Sequence, residues 1–296
     1  MLDFQFTPAV QPVADATVSQ WLQLPVASPE RQRVAAERRF KAEIAALQPI
    51  SLEEMNSVAL LDRVESKYLL HASTLLDALA TLRNEYAVLE IDGRRVNRYR
   101  TLYFDTDDFA LYHRHQAGAL NRYKVRAREY VESQLSFLEV KHKTNKQRTV
   151  KSRVGTPALV TEIRDEQAHF VEDLCPYAAA TLAPRLWNHY NRVTLVGLHS
   201  KERLTVDLGL AFEWEGEEVR LPGLVIVEAK LPARRSVSPF VAWAAGQHLR
   251  ATGFSKYCIG TSLLYPEVKS NHFKRTHRHV ARLLQQQNYG ETHATH

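Results

Sequence analysis

Tyr123-Lys-Val-Arg-Ala-Arg-Glu-Tyr130 sets Lys124, Arg126 and Arg128 at alternate positions, with Tyr123, Val125 and Ala127 filling the others. A strand sends successive side chains to opposite faces. The segment therefore predicts a strand with three cations on one face, each about 7 Å from the next. Like charges in a row repel, and an ordinary solvated face mixes signs. Such a row needs an anion, and the fold turns on whether other strands aim at the same one.

Several do. Leu61–Leu70 carries Arg63, Glu65 and Lys67 on one face, with Val64 and Tyr68 on the other. Arg94–Asp105 sets Arg98 and Arg100 against Tyr99, Thr101 and Tyr103. Phe137–Lys143 aligns Glu139, Lys141 and Lys143. Leu186–Leu198 reads as a strand bearing Tyr190 and Arg192. Glu202–Phe212 sets Arg203, Thr205 and Asp207 against Leu204, Val206 and Leu208, and Leu224–Leu231 sets Ile226, Glu228 and Lys230 against Val225, Val227 and Ala229.

Between the strands run helical patterns. Pro29–Gln48 is Ala-rich, with Val34, Phe40, Ile44 and Leu47 near helical spacing. Ser51-Leu-Glu-Glu54 has the form of a capping box. Residues 72–84 and Pro239–Thr252 read as helices, 158–187 as two helices, Asp107–Gly118 as helix or loop, Gly253–Tyr257 as loop, and 273–288 as a helix. Thr144–Arg153 is polar and basic. The organisation expected is an N-terminal arm and helix over 1–50, a core over 51–265, and a basic, His-rich tail over 266–296.

The chain has 296 residues, 45% of them hydrophobic, and a formal net charge of +6. That is enough to bury a sizeable core, and it makes polyanions natural partners. Cys175 and Cys258 lack metal-ligand spacing, which argues against a disulfide framework or a zinc site. No signal peptide and no apolar run near the length of about 20 residues that spans a bilayer is visible, so a soluble, cytoplasmic protein is expected. Nucleotide-binding glycine loops, a nucleophile elbow and HExxH are missing from the sequence.

Two arrangements satisfy this alternation. In a sandwich the charged faces look outward to water, the commonest antiparallel pattern. If the apolar helices instead pack on the apolar strand faces, the charged faces point inward together around a polar lumen. The predominance of cations favours the second. The expected fold is thus α+β, an antiparallel β tunnel or barrel with a basic lumen and helices around the outside. Single carboxylates on those faces, Glu65, Glu139, Asp207 and Glu228, either hold neighbouring cations in place or bind a hard divalent metal beside phosphate oxygens. For Glu65, Glu139 and Asp207 the two readings stand equal.

Arg63-Val-Glu-Ser-Lys-Tyr-Leu-Leu70, Tyr103-Phe-Asp-Thr106, Tyr123–Tyr130, Leu138-Glu-Val-Lys-His-Lys143, Tyr190-Asn-Arg192, Arg203–Asp207, Val227-Glu-Ala-Lys230 and Phe254-Ser-Lys-Tyr257 occur in that order. Together they resemble the VTC domain, the polyphosphate polymerase domain of the vacuolar transporter chaperone, within the triphosphate tunnel metalloenzymes. The resemblance implies a metal-dependent phosphotransferase that uses a nucleoside triphosphate such as ATP to extend inorganic polyphosphate, with Mn²⁺ or Mg²⁺. It implies that Lys67, Arg126, Arg128, Lys141, Lys143, Arg192, Arg203 and Lys256 contact phosphate, with Tyr190 beside them. Glu228 is implied as the metal glutamate, ahead of Glu65 and Asp207. Lys151 is the choice for a further lysine, over Lys146 and Arg148, and Lys230, Arg98 and Arg100 complete the substrate-binding set. Lys124 is left at the rim. Gly253 stands where the family has a lysine. The rival readings are a tunnel triphosphatase and a non-catalytic polyphosphate- or nucleotide-binding module, and no nucleic-acid partner is expected.

Overall fold

The structure is a computed structural model that describes residues 30–57, 64–146, 148–232 and 237–285. The expected arm over 1–27, Arg63 and the closing His-rich residues lie outside these. Helix α1 (Glu30–Ala46) buries Phe40 and Ile44 as its spacing predicts. After strand β1 (Gln48–Ile50), helix α2 (Leu52–Ser57) opens with the reciprocal capping box: the Ser51 amide donates to Glu54 Oε2 at 2.8 Å, and the Glu54 amide donates to Ser51 Oγ at 3.2 Å.

Strands β2 (Val64–His71), β3 (Tyr86–Leu89), β4 (Asn97–Asp105), β5 (Arg122–Tyr130), β6 (Leu135–Lys143), β7 (Thr149–Thr156), β8 (Ala183–Gly197), β9 (Arg203–Trp214), β10 (Glu217–Leu221) and β11 (Leu224–Leu231) join β1 in one sheet. Its main path runs β2-β11-β9-β8-β4-β5-β6-β7. Every pairing along that path is antiparallel; β1 with β3 is parallel. No ladder joins β2 to β7 among the described residues, so the sheet curls without closing by hydrogen bonds.

The apolar faces lie outside. Tyr68, Leu70, Val193, Leu204, Val206, Val225 and Val227 pack against α1, α3 (Ala72–Thr81) and α6 (Pro239–Gly246) through Phe40, Ile44, Leu75, Leu79 and Phe240. Leu102, Phe104, Val125, Ala127, Leu138 and Val140 pack under α4 (Ala110–Gln116) and α5 (Asp165–Glu172) through Leu111 and Val171. Burying side chains of this size contributes about 1.5–3 kcal/mol each. This covering is what turns the opposite, charged faces inward.

One end of the interior is itself apolar. Leu69, Leu186, Leu210, Phe212 and Ile226 lie on the inner face and pack against α7 (Lys256–Leu264) and α8 (Lys274–Gln285) through Tyr257, Ile259, Val280 and Leu283. Gly260 permits this approach: a Cβ there would fall 2.8 Å from Leu186 Cδ2 and closer still to the Phe212 ring. Asp105 fastens the same end. Its buried carboxylate accepts from the amides of Thr106, Leu111 and Tyr112 at 2.8 Å each and from the Tyr257 hydroxyl.

Several local expectations differ from the structure. Residues 158–187 hold one helix, α5, and a short 3-10 turn at Ala179–Thr181 before β8 begins. The basic stretch 144–153 runs into β7, which begins at Thr149, and the loop at 253–257 runs directly into α7. In β7 the pairing partner is β6, so the ladder supplies what the polar sequence pattern does not.

Candidate active site

The antiparallel register decides which side chains share the interior. Across β2 and β11, Lys67 faces Glu228 and Glu65 faces Lys230; across β11 and β9, Glu228 faces Thr205 and Lys230 faces Arg203. Asp207 faces Arg192, Tyr190 faces Tyr99, and Thr101 faces Arg128. Arg126 faces Tyr103 on one side and Glu139 on the other, while Lys141 lies between Lys124 and Lys151. Lys143, two residues on, shares this face. Expected cations from seven strands, β2, β5, β6, β7, β8, β9 and β11, thus share one inner surface.

The ends of α7 and β5 show that these surfaces confront each other. Ser255 caps α7 and accepts from Lys124 Nζ of β5 at 2.7 Å, while the adjacent Lys256 pairs with Asp207 of β9. Neighbouring residues therefore touch strands separated in the sheet by β8 and β4. Lys124, expected at the rim, is inside.

Tyr190 stands at the centre. Its ring lies 4.4 Å from Lys256 Nζ and 5.3 Å from the Arg192 guanidinium, and its buried hydroxyl has no hydrogen-bond partner in the protein. Burial raises its pKa against the pull of Arg128, Arg192 and Arg126. A phenol kept protonated among cations is a hydrogen-bond donor left without an acceptor from the protein. The Thr205 hydroxyl beside Glu228 is likewise buried and unpartnered.

Each inner carboxylate with a resolved partner ties down cations. Glu139, fully buried, binds Arg126 Nε at 2.7 Å and Lys151 Nζ at 2.6 Å, with Arg128 at 3.9 Å. Burial alone would raise its pKa, but those three cations outweigh it and hold the carboxyl well below the usual range. Asp207 behaves likewise: against its burial, Arg192 at 2.6 Å and Lys256 keep it ionised. The salt-bridge alternative thus describes both residues, and Asp207 has its two oxygens committed to Arg192. Glu228 is also held ionised despite burial, by Lys230 at 3.2 Å and by Lys67.

The lysines remain under-compensated. Burial, then Lys124, pushes Lys141 down to about 8. Lys230 falls to about 8, burial and the nearby Arg192 and Arg203 outweighing Glu228. Lys151 falls to about 7 although it pairs with Glu139, because burial and two arginines act against that single carboxylate.

Arg98 and Arg100 do not join this set. Pairing places them on the outer face, where Arg98 meets Glu132 at 2.8 Å and Arg100 meets Glu129 at 3.0 Å and lies over Trp187. The inner face of β4 is instead Tyr99, Thr101 and Tyr103. Tyr99 and Tyr103 lie under Arg192 and Arg126, at 5.0 and 5.9 Å. The Arg98 and Arg100 expectation took charge as the mark of the inner face, and in β4 the mark is aromatic.

For a metal, Glu228 and its diagonal neighbour Glu65 offer the hard oxygen donors suited to Mg²⁺ or Mn²⁺. No group of three or more His, Cys, Asp or Glu among the described residues is placed to hold an ion alone. Both Glu228 oxygens face lysines, Oε2 toward Lys67 and Oε1 toward Lys230, so an ion there would displace those lysines and draw its remaining ligands from phosphate oxygens.

A family model described as the VTC domain matches residues 62–265. The chain belongs to the VTC domain family. No curated protein matches. Among solved structures, a provisional adenylate cyclase from Bacillus halodurans is 14% identical, over 66% of this chain and 94% of that one, with a TM-score of 0.45. A provisional adenylyl cyclase from Hippeastrum, described as having a dominant triphosphatase activity, is 13% identical over 68% and 95%, with a TM-score of 0.42. An RNA triphosphatase of S. pombe is 9% identical over 89% and 90%, at a TM-score of 0.21. None of the described helices of this VTC protein is long and apolar enough to cross a membrane.

Proposed function

We propose that this VTC protein transfers the terminal phosphoryl group of a nucleoside triphosphate such as ATP to the end of a polyphosphate chain held in the lumen. The observation that carries this reading is the unpartnered Tyr190 hydroxyl, ringed by Arg126, Arg128, Arg192 and Lys256 from β5, β8 and α7. Buried like charges of this density are costly unless an anion joins them. A phosphate chain satisfies arginines by forked hydrogen bonds and lysines as point charges.

In the transfer, a terminal oxygen of the acceptor forms a bond to the γ-phosphorus as the bond from that phosphorus to the β–γ bridging oxygen breaks. The electron pair leaves with the nucleoside diphosphate. The acceptor is already an oxyanion, so no general base is required, and positioning with charge neutralisation supplies the catalysis. Arg126, Arg128 and Lys67 hold the transferring group; Lys141, Lys143, Lys151, Arg192, Arg203, Lys230 and Lys256 hold the rest of the chain. Glu228, with Glu65, would hold Mn²⁺ or Mg²⁺, which neutralises phosphate charge when bound.

Hydrolysis by water is the second reading, and Gly253 is the observation that favours it. A Cβ there would meet no other group within 4 Å, so the backbone does not require glycine at this position and the chain lacks the lysine that the family carries. The test is incubation with ATP and Mn²⁺ followed by separation of long-chain polyphosphate from orthophosphate. Long chains are expected; orthophosphate alone would overturn the transferase reading in favour of the triphosphatase.

A further inference from the structure

Helix α8 reads Lys274-Arg-Thr-His-Arg-His-Val-Ala-Arg-Leu-Leu-Gln285 and contains no acidic residue. Its apolar side is consumed: Val280 and Leu283 are buried against α7 and the inner sheet face, and the helix packs on β2 and β11. Lys274, Arg275, Arg278 and Arg282 are exposed on the opposite side. Positions three and four apart are neighbours on a helix surface, so the four form a row about 12 Å long at 1.5 Å per residue. No carboxylate among the described residues pairs with any of them. Arg275 and Arg282, after burial, also depress the pKa of His279 between them, as expected of crowded like charges without a counterion.

We propose that this face of α8 is a second polyanion site, which binds the part of an inorganic polyphosphate chain that lies outside the lumen. The inference rests on the proposed ligand of the lumen and extends it. Three observations select this occupant. The helix that carries the row is tied by its packed side to the segment leading into the lumen, because Thr276 Oγ1 donates to the Gly253 carbonyl at 3.3 Å, three residues before Lys256. A bilayer-surface helix needs a free apolar side to insert, and that side of α8 is already in the core. A single-stranded nucleic acid needs aromatic platforms for its bases, and the exposed row offers only cations. Unbranched phosphate asks for nothing but positive charge at intervals. Each contact releases counterions, so binding must weaken steeply with salt.

The test titrates the full chain with long-chain polyphosphate and with tripolyphosphate, which is too short to occupy both sites, at two salt concentrations. Wild type is compared with the triple variant Arg275→Gln, Arg278→Gln, Arg282→Gln. The expected result is that wild type binds the long chain at least about tenfold more tightly than tripolyphosphate. The variant loses most of that difference while its tripolyphosphate affinity and melting temperature stay unchanged. Its salt dependence for the long chain flattens by close to one unit of slope per cation removed. Equal long-chain affinity in both proteins would overturn the proposal. So would loss of binding to phosphatidylserine vesicles, or to single-stranded RNA, in the variant with polyphosphate binding intact. If the full chain makes no polymer from ATP and yet shows the expected loss in the variant, the transferase reading falls and the α8 site stands.

Discussion

Arg192 on β8 donates two hydrogen bonds, at 2.6 and 2.8 Å, to the Asp207 carboxylate on β9. The two residues are in register, both are buried at their functional ends, and Lys256 joins the same carboxylate from α7. The pair locks two strands and the helix that enters the lumen. Removing one member of a buried pair leaves an uncompensated charge, at a cost of about 3–5 kcal/mol. Asp207→Asn should therefore lower the stability of the unliganded protein by about 3 kcal/mol in chemical unfolding. Tripolyphosphate should then raise the melting temperature of the variant more than that of wild type, because the anion takes over the abandoned cations. A variant as stable as wild type would remove Asp207 from this structural role.

Glu228 has a different exposure to substrate, between Lys67 and Lys230 on an inner face shared with Thr205. Glu228→Gln should retain tripolyphosphate binding in the presence of a chelator within about threefold. The same substitution should lower Mn²⁺-dependent turnover of ATP by about 100-fold or more, equivalent to about 2.7 kcal/mol. Parallel losses of binding and turnover would assign Glu228 to lysine positioning alone.

Arg98 and Arg100 provide the outer-face control. Arg100→Ala breaks the 3.0 Å pair with Glu129 and the stacking on Trp187, both outside the lumen. Tripolyphosphate affinity should change by less than about twofold, with a stability loss of at most about 1 kcal/mol for the partly exposed pair. A tenfold fall in affinity would place β4 in the opposite orientation.

The lumen lysines set a pH dependence whose sign differs for folding and for binding. Lys151, near 7, and Lys141 and Lys230, near 8, all titrate below their ordinary value of 10.5. Between about pH 7 and pH 10 the unfolded chain binds more protons at these sites than the folded one, so stability rises with pH. The ligand needs the protonated lysines, so triphosphate affinity falls through the same window. Melting curves with and without tripolyphosphate from pH 6.5 to 9.5 should converge as pH rises. A ligand-induced shift that grows with pH would contradict this. On the acid side, Glu139, Asp207 and Glu228 are held ionised below their usual range, so their contribution is present above about pH 4.5 and is lost as pH falls further.

Much of this site is legible along the chain because a curled antiparallel sheet keeps its alternation. Arg126 and Arg128, Lys141, Arg203, and Glu228 with Lys230 each appear opposite an apolar residue, and each apolar face found a helix. Arg98 and Arg100 obey the same alternation and still point the wrong way. Periodicity assigns two faces without saying which is inner; that follows from register with Tyr190 and Arg128, a long-range fact. The inward position of Lys124 is hidden from periodicity for a similar reason, since its partner Ser255 lies 131 residues away. The role of Asp105 in binding α4 and Tyr257 also depends on contacts far apart in sequence. The hydroxyls of Tyr190 and Thr205 become informative only once they are seen buried without partners.

The central claim is that strands distant in the sheet face a single anion. Lys67 on β2 and Arg126 on β5 are separated by β11, β9, β8 and β4. Calorimetric titration of tripolyphosphate into wild type, Lys67→Ala, Arg126→Ala and the double variant measures this directly. One site per chain is predicted, with about a tenfold loss, about 1.4 kcal/mol, for each single variant, and a double variant that departs from additivity because both groups hold the same ligand. Weak binding of several anions per chain, with both single variants unaffected, would contradict a shared lumen.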